Sequence, residues 1–550
     1  VPSRVFLDRR TSTPPATPPA GRRPSLAFLA LAGLVIAGSV LIRLVLLGRQ
    51  SYWIDELFSA NESAGSVHHL LKVGSTEVHT PFYAALLWAW IKVGGSHEVW
   101  TRLLSALFAV AAVAVADRGL RRVRLDDHVR WALTVATAAG STAMIYSLET
   151  RSYALLLLGA VGVTVVTLRV ALLILSGDAV SSRTRLTWTG WVGLAATAHL
   201  FGAILALGAL VVIGSLTLTR GERRVRRTLE WALLTAIGCA VQVAWLADGL
   251  GRPKFAAGTD WIMAPRAHDL WVLITTTFGS GTMTPQKDGF AWTSPFGVLA
   301  VLVLVLGAVG AGYRGSSQRL QSATETDTEP TGRPTDQPTA EAHAAAVLLG
   351  LAAFVIAFSL VISQFVHLWT LRNLIIIVPA LTWGVICLAA AATRSGPGRR
   401  WVSVVAIGLL GLSLVPTTIG LVHPYKTDFR GLMDYLIAER AQQPDAQYAF
   451  LGHDLPWDWH TASDLPADDP AWSTLYSHVT LSWRAASYPK KLKKGETRAP
   501  GTEIVVYYHG VAYPHLARET TLLLRRLGGV KTCTPVPIYD VIVVKCRPPG

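Results

Sequence analysis

The chain has 550 residues, 51% of them hydrophobic and 15% charged, with a mean hydropathy of +0.39. Soluble globular proteins carry about 25% charged residues, so this balance excludes a soluble protein and describes a polytopic membrane protein. The net charge of +15, from 50 Lys and Arg against 35 Asp and Glu, falls in short loops between apolar runs, where it encodes topology and argues for no nucleic-acid partner.

In chain order, residues 1–25 are rich in Pro, Thr and Arg and read as a disordered cytoplasmic tail. The apolar run that follows is too long for a cleaved signal peptide and lacks its small-residue exit. A span needs ~20 apolar residues. Eleven candidates occur, at 26–47, 100–120, 131–148, 153–175, 186–199, 201–219, 229–250, 291–313, 344–363, 371–391 and 401–422. With the N-terminus inside, the cytoplasmic loops hold Arg121, Arg122 and Arg124, then Arg183 and Arg185, the cluster from Arg220 to Arg227, Arg314 and Arg319, and Arg394 with Arg399 and Arg400. Every strongly basic loop then lies on one side, as the positive-inside rule requires. Counting the short apolar segment 81–93 as a span would move every cluster to the side opposite the basic N-terminal tail. It therefore reads as an interfacial or re-entrant helix in the first external loop, 48–99.

The loop 314–343 is rich in Ser, Thr, Pro and acidic residues and reads as disordered and cytoplasmic. After residue 422 the hydropathy drops. A helical pattern around Tyr435 follows Asp428, and strands are expected over 447–451, 503–508 and 539–544. Residues 423–550 suffice for one small α/β domain, placed outside by the span count. Cys239 and Cys387 lie inside apolar runs and read as packing residues. Cys533 and Cys546 are expected to pair if their region lies outside the cytoplasm, with two free thiols as the alternative.

Polar residues gather on the side that the arginines avoid. The first external loop opens on Ser51-Tyr52-Trp53-Ile54-Asp55-Glu56-Leu57 and continues to Glu77 and to His79-Thr80-Pro81-Phe82-Tyr83. The segment from Gly95 to Leu107 reads GSHEVWTRLLSAL. Glu149-Thr150-Arg151-Ser152-Tyr153 joins two spans, His199 joins two others, and Arg372-Asn373 opens the tenth. Adjacent carboxylates at a membrane interface are costly unless a site uses them. Taken alone, the pair Asp55-Glu56 also fits a solvated loop.

In this order and at these spacings, the motifs WIDE, HTPFY, GSHEVWTRLLSAL and ETRSYAL resemble the membrane glycosyltransferases of the GT-C type. The glycosyltransferase 39 or protein-mannosyltransferase-like group is the nearest in pattern, with lipid A aminoarabinose transferases and actinobacterial enzymes among its members. The resemblance is densest over 51–153 and returns at LRNLIIIVP and KTDFRGLMDYL. Asn373 stands where relatives have Tyr, and Thr80 where they have Pro. The resemblance implies an inverting transfer of a sugar from a polyprenyl-phosphate donor to an acceptor hydroxyl of an envelope glycan, glycolipid or protein. The plasma membrane would be the location, with the active site and C-terminal domain extracytoplasmic.

The resemblance also matches Asp55 to the catalytic aspartate, the general base, with Glu56 as the second catalytic candidate, either sharing the proton or only positioning the loop or a cation. Arg151, Arg372 and His199 are the candidates for the donor phosphate, since Arg suits bidentate phosphate binding. Trp53, Tyr83 and His79 are candidates for sugar or acceptor contact. Glu77 and His79 could share a divalent cation with Glu56. For each, a structural role is the competing reading: a salt bridge or interfacial anchor for the arginines, a hydrogen-bonded loop for Glu77 and His79. Abundant Ala, Arg, Val and Gly with few Lys suggest a high-GC actinobacterial source, and so mannose or arabinose as the sugar. The rival class, a transporter or lipid flippase, predicts charges within several spans and two similar halves. Here the acids gather in one loop and no repeat is seen.

Overall fold

The computed structural model describes residues 24–220, 224–252, 262, 264–281, 283–286, 289–292, 297, 301–302, 306, 339–366, 368–393, 396–443, 447–451, 503–507, 521, 533–538 and 541–546. Nearly all of the tail expected over 1–25, most of the span expected over 291–313 and most of the loop 314–343 lie outside the described residues.

Helix α1 (Leu26–Leu46) starts at Ser25, whose hydroxyl accepts from Phe28 N at 3.3 Å. Its buried residues, Phe28, Ala32, Val35, Ser39, Arg43 and Leu46, recur every three or four positions and form one stripe. Leu34, Leu41 and Val45 face outward, as a lipid-facing helix requires. Three shorter helices follow: α2 (Ile54–Ala64), α3 (Val67–Gly74) and α4 (Phe82–Gly94). The apolar segment 81–93 is thus a helix of its own, too short to cross a membrane.

Then come α5 (Glu98–Leu120), α6 (Asp127–Ala139), α7 (Ser141–Tyr146), α8 (Tyr153–Leu175), α9 (Ser182–Ala198), α10 (Leu200–Arg220), α11 (Arg224–Gly249) and α12 (Ala267–Phe278), with a hairpin of β1 (Met283–Gln286) and β2 (Gly289–Trp292). The chain continues through α13 (Ala340–Ile362), a 3₁₀ turn (Asn373–Ile377), α14 (Val378–Ala392), α15 (Gly396–Val422) and α16 (Phe429–Gln442). Among the described residues, eight helical segments are long and apolar enough to cross a membrane: α1, α5, α8, α10, α11, α13, the 3₁₀ turn with α14, and α15.

The sequence expectation of one continuous helix over 131–148 is corrected. The helix breaks at Gly140, where the backbone turns extended (ψ 130°). A break inside a bundle frees carbonyls that lipid cannot satisfy. Arg43, 2% exposed, answers it: Nη2 donates to Ala138 O at 2.7 Å, Nη1 to Ser39 O at 3.0 Å and Nε to Ser147 Oγ at 2.9 Å. The α6–α7 pair and α9 still run from one face of the bundle to the other. The start of α6 meets Glu341 of α13 through Asp126 N, whereas Ser147, just after α7, meets the end of α1.

Helix α8 is buried over most of its length and forms the centre of the bundle. Glycines on α8 and α10 let α9 approach closely. A Cβ on Gly162 would sit 2.1 Å from the Trp191 ring, and one on Gly202 1.9 Å from Ala195 O. Small residues at such crossings let backbones pack where no hydrophobic drive separates helix from lipid.

Asp428 caps α16 by accepting from Gly431 N at 2.9 Å. Beyond it lie β3 (Gln447–Leu451), β4 (Glu503–Tyr507), β5 (Cys533–Ile538) and β6 (Val541–Cys546). They form a sheet in the order β3-β4-β6-β5, with β3 parallel to β4 and the other pairs antiparallel. Pro535 and Pro537 lack an N–H, and they lie on β5, at the sheet edge, where a missing donor costs least. Cys533 and Cys546 are cross-strand partners joined as a disulfide. Lys545 pairs with Glu439 of α16, and Arg430 of α16 pairs with Glu98 at 3.0 Å. The sheet is thereby tied through α16 to the start of α5.

Candidate active site

The segment between α1 and α2 is organised by Arg102, one turn into α5. Its Nη1 donates to Leu47 O at 2.8 Å and Gln50 O at 2.7 Å, and Nη2 to Ser51 O at 2.9 Å. The same guanidinium grips both oxygens of Glu56, Nε to Oε1 at 2.7 Å and Nη2 to Oε2 at 2.8 Å. Glu56 also accepts from Thr150 N at 2.8 Å and from Lys426 Nζ at 3.0 Å. Lys426 in turn donates to Leu148 O at 3.3 Å and lies 3.6 Å from Glu149. Burial opposes ionisation of Glu56, but Arg102 and Lys426 outweigh it and hold the carboxyl down at about 2. Glu149 goes the other way: burial, reinforced by Glu56 and Asp55 and only partly offset by Lys426, pushes it up to about 7. Neither Glu149 oxygen has a hydrogen-bond partner.

Asp55 precedes Glu56 on the first turn of α2, and successive helical residues point about 100° apart. That angle separates their environments. Glu56 is fully buried, whereas the Asp55 side chain keeps 21% of its surface exposed. Asp55 is ion-paired with Arg372, whose guanidinium lies over the Trp53 ring at 5.7 Å. Arg151 completes the frame, with Nη1 donating to Asp55 O at 3.3 Å and Ser59 Oγ at 3.0 Å. Asp55, Arg151 and Arg372 are thus brought together. Of the two roles expected for Glu56, sharing the proton is corrected: with no exposed surface and both oxygens committed, it is the anchor of the turn that carries Asp55.

His79 and His199 stack at 3.7 Å. The Nδ1 of His79 accepts from Leu200 N at 3.4 Å, and that of His199 from Phe201 N at 3.2 Å. Burial, followed by the charges of Arg151 and Arg372, pushes His79 down to about 3, so it is neutral. His199, 1% exposed in the α9–α10 turn, packs behind His79, which corrects its expected place beside the donor phosphate. Two further expectations of sugar contact are corrected by burial. Tyr83 is buried with its hydroxyl 3.3 Å from Ser105 Oγ, and Trp53 is 2% exposed beneath Arg372.

The loop carrying Glu77 is tethered by α11 and the turn after it: Gln242 donates to Val78 O at 3.0 Å, Trp245 to Glu77 O at 3.0 Å and Arg252 to Ser75 O at 3.1 Å. Burial raises Glu77, against Arg151 and with Asp55. Burial and Glu77 push the neighbouring Glu62 up to about 8. Among the described residues, no three His, Cys, Asp or Glu side chains are grouped to hold a metal. The cation site expected at Glu77, His79 and Glu56 is not assembled among the described residues, since both Glu56 oxygens are taken by Arg102, Lys426 and Thr150.

Sequence reasoning gave no role to Arg102, Glu149 or Lys426. Arg102 carried a signal, a charge at the start of an apolar run, which demands a buried partner. Lys426 opens the motif KTDFRGLMDYL, but its role stayed hidden because its partners lie far away in sequence.

No family model matches the sequence, and no curated protein matches it. Among solved structures, the chain is similar to ArnT from Cupriavidus metallidurans bound to undecaprenyl phosphate, at 16% identity and a TM-score of 0.48, covering 94% of this chain and 98% of that one. The same protein in its apo state matches at 15% identity and a TM-score of 0.47, over the same shares of both chains.

Proposed function

We propose that the chain is a membrane glycosyltransferase of the GT-C type, moving a sugar from a polyprenyl-monophosphate donor to an acceptor hydroxyl on the extracytoplasmic face, with inversion. One observation carries the reading: a partly exposed carboxylate, Asp55, is framed by Arg372 and Arg151 at the end of an apolar bundle. The order of the motifs around Asp55 supports it.

In this reading the acceptor hydroxyl attacks the anomeric carbon and Asp55 takes its proton. The bond from that carbon to the phosphate oxygen breaks, and its electron pair leaves with the phosphate. Arg372 and Arg151 receive the growing charge through charge-assisted hydrogen bonds. Donor phosphate and Asp55 compete for Arg372, so loading the donor frees the carboxylate to accept the hydroxyl proton. Glu56, Arg102 and Lys426 touch nothing that reacts; they hold the turn in place. The proposed donors are decaprenyl-phosphate mannose and arabinose, and the proposed acceptors are envelope glycans, glycolipids or proteins.

The test is transfer by the full chain in nanodiscs, supplied with a panel of polyprenyl-phosphate sugars and with acceptors of each class. Transfer from one donor class supports the reading, and movement of intact carrier between leaflets without transfer would favour a flippase. In the same assay Arg372→Ala is expected to weaken donor use and inhibition by the released carrier phosphate together, by roughly tenfold or more for a lost charged hydrogen bond. Arg372→Lys should recover part of this, because Lys offers a point charge in place of a fork. Unchanged donor kinetics would reassign Arg372 to anchoring. The orientation has its own check. Reporters fused after Arg400 are expected in the cytoplasm and those after His423 outside; the reverse would invert the placement of the site.

A further inference from the structure

At the other end of α8 from Arg151, ~35 Å away along 23 residues, a cavity of about 400 Å³ opens between α8, α9, α10 and α11. Its charged lining is Arg185, Arg220 and Arg227 against Asp178 and Glu230, and Trp231 lies at its base. Both acids are already answered. Asp178 pairs with Arg124 at 3.4 Å, and Glu230 with Arg226 at 3.3 Å and Arg185 at 3.5 Å. Arg220 and Arg227 make no ion pair with any described residue, so the cavity keeps uncompensated positive charge.

The base is apolar and firmly packed: Trp231 is 5% exposed, and its ring meets Trp188 edge-on at 5.3 Å. On the helices that line it, Leu186, Leu218 and Leu229, each next in sequence to a lining residue, are 69%, 45% and 63% exposed. Two chemistries therefore occur on the same helices: a recess that attracts anions, and exposed leucines next in sequence to its lining.

Arginines that only mark topology need no recess. They extend to water from the helix ends. A basic recess between spans whose helices also expose leucines fits a phosphate that carries its own apolar chains.

We propose that this cavity binds the phosphate headgroup of an anionic glycerophospholipid, with Arg220 and Arg227 on the phosphate and the acyl chains along Leu186, Leu218 and Leu229. The site is separate from that of Asp55 and does not depend on which reaction occurs there.

Native mass spectrometry of the full chain tests it, with phosphatidylglycerol, phosphatidylcholine and inorganic phosphate as separate probes. Phosphatidylglycerol should be retained over phosphatidylcholine. The R220Q/R227Q double variant should weaken that retention roughly tenfold or more, at about one charge's worth of attraction per arginine. The exposed Arg400→Gln, on α15, should leave it unchanged. Rising salt should weaken retention in the wild-type chain, a second reading that needs no variant. Equal retention of the two lipids would overturn the proposal, as would a double variant that binds like wild type or an equal loss in Arg400→Gln. Inorganic phosphate binding as tightly as phosphatidylglycerol would also overturn it, since the acyl chains would then contribute nothing.

Discussion

Asp55→Asn is expected to cut sugar transfer by roughly 10²–10⁴, the usual worth of a positioned general base. The substitution keeps the shape of the side chain and removes its charge. It also releases Arg372 from its ion pair. Donor affinity should therefore hold or improve while turnover collapses, so kcat falls and KM does not rise. A purely structural role for Asp55 predicts a different pattern, with lower stability and proportionate loss of all binding. The fold should survive, because Asp55 lies on the partly exposed side of α2 while the buried side is held by Glu56. Turnover would be measured on folded protein in nanodiscs, with thermal unfolding as the control. Near-wild-type transfer by Asp55→Asn would refute the base and most of the case for this reaction.

Glu56→Gln is expected to damage the fold itself. The change leaves Arg102 and Lys426 facing one another in a fully buried pocket without the anion that neutralises them. Removing one partner of a buried ion pair costs about 3–5 kcal/mol, since the remaining charge stays desolvated. The effect has a pH signature. Glu56 is held at about 2 in the folded chain, below its usual 4.5. Its stabilisation is complete above the unfolded value and is lost as pH falls from about 4.5 towards 2. Wild-type protein should lose melting temperature across that window, and Glu56→Gln should start low and lose less. Pairing it with Lys426→Met removes the second buried charge and should recover part of the loss. A melting temperature unchanged in Glu56→Gln would sink the role of the network.

The two substitutions separate two neighbours that sequence reasoning treated as a pair. At the interface between membrane and water, Asp-Glu reads from composition as two like acids, and only the resemblance singles out Asp55. The helical twist of α2 decides otherwise by turning one inward and leaving the other near solvent. Nothing local distinguishes them, because both sit in the same apolar context. The distinction is made by what waits on each side: Arg102 and Lys426 for Glu56, Arg372 and Arg151 for Asp55.

Some of the protein was legible from its residues alone. Hydropathy is a sum over neighbours in sequence, so the apolar helices appeared at close to their structural bounds, and strands β3, β4 and β6 were anticipated within a few residues. Charge is equally local, which is why the arginines marked one end of the bundle before any packing was known. The gap at Gly140 escaped because hydropathy is blind to a backbone break that a distant arginine repairs.

The ion-pair network belongs to the tertiary structure. Glu56 meets Arg102 across 46 positions, Thr150 across 94 and Lys426 across 370, while Asp55 meets Arg372 across 317. A buried charge is tolerated only where its partner arrives through space, and that arrival depends on how five separate segments pack. Sequence could show that this chain crosses a membrane many times and gathers acids at one face. Only packing could decide which acid is buried as an anchor and which stays partly exposed beside Arg372.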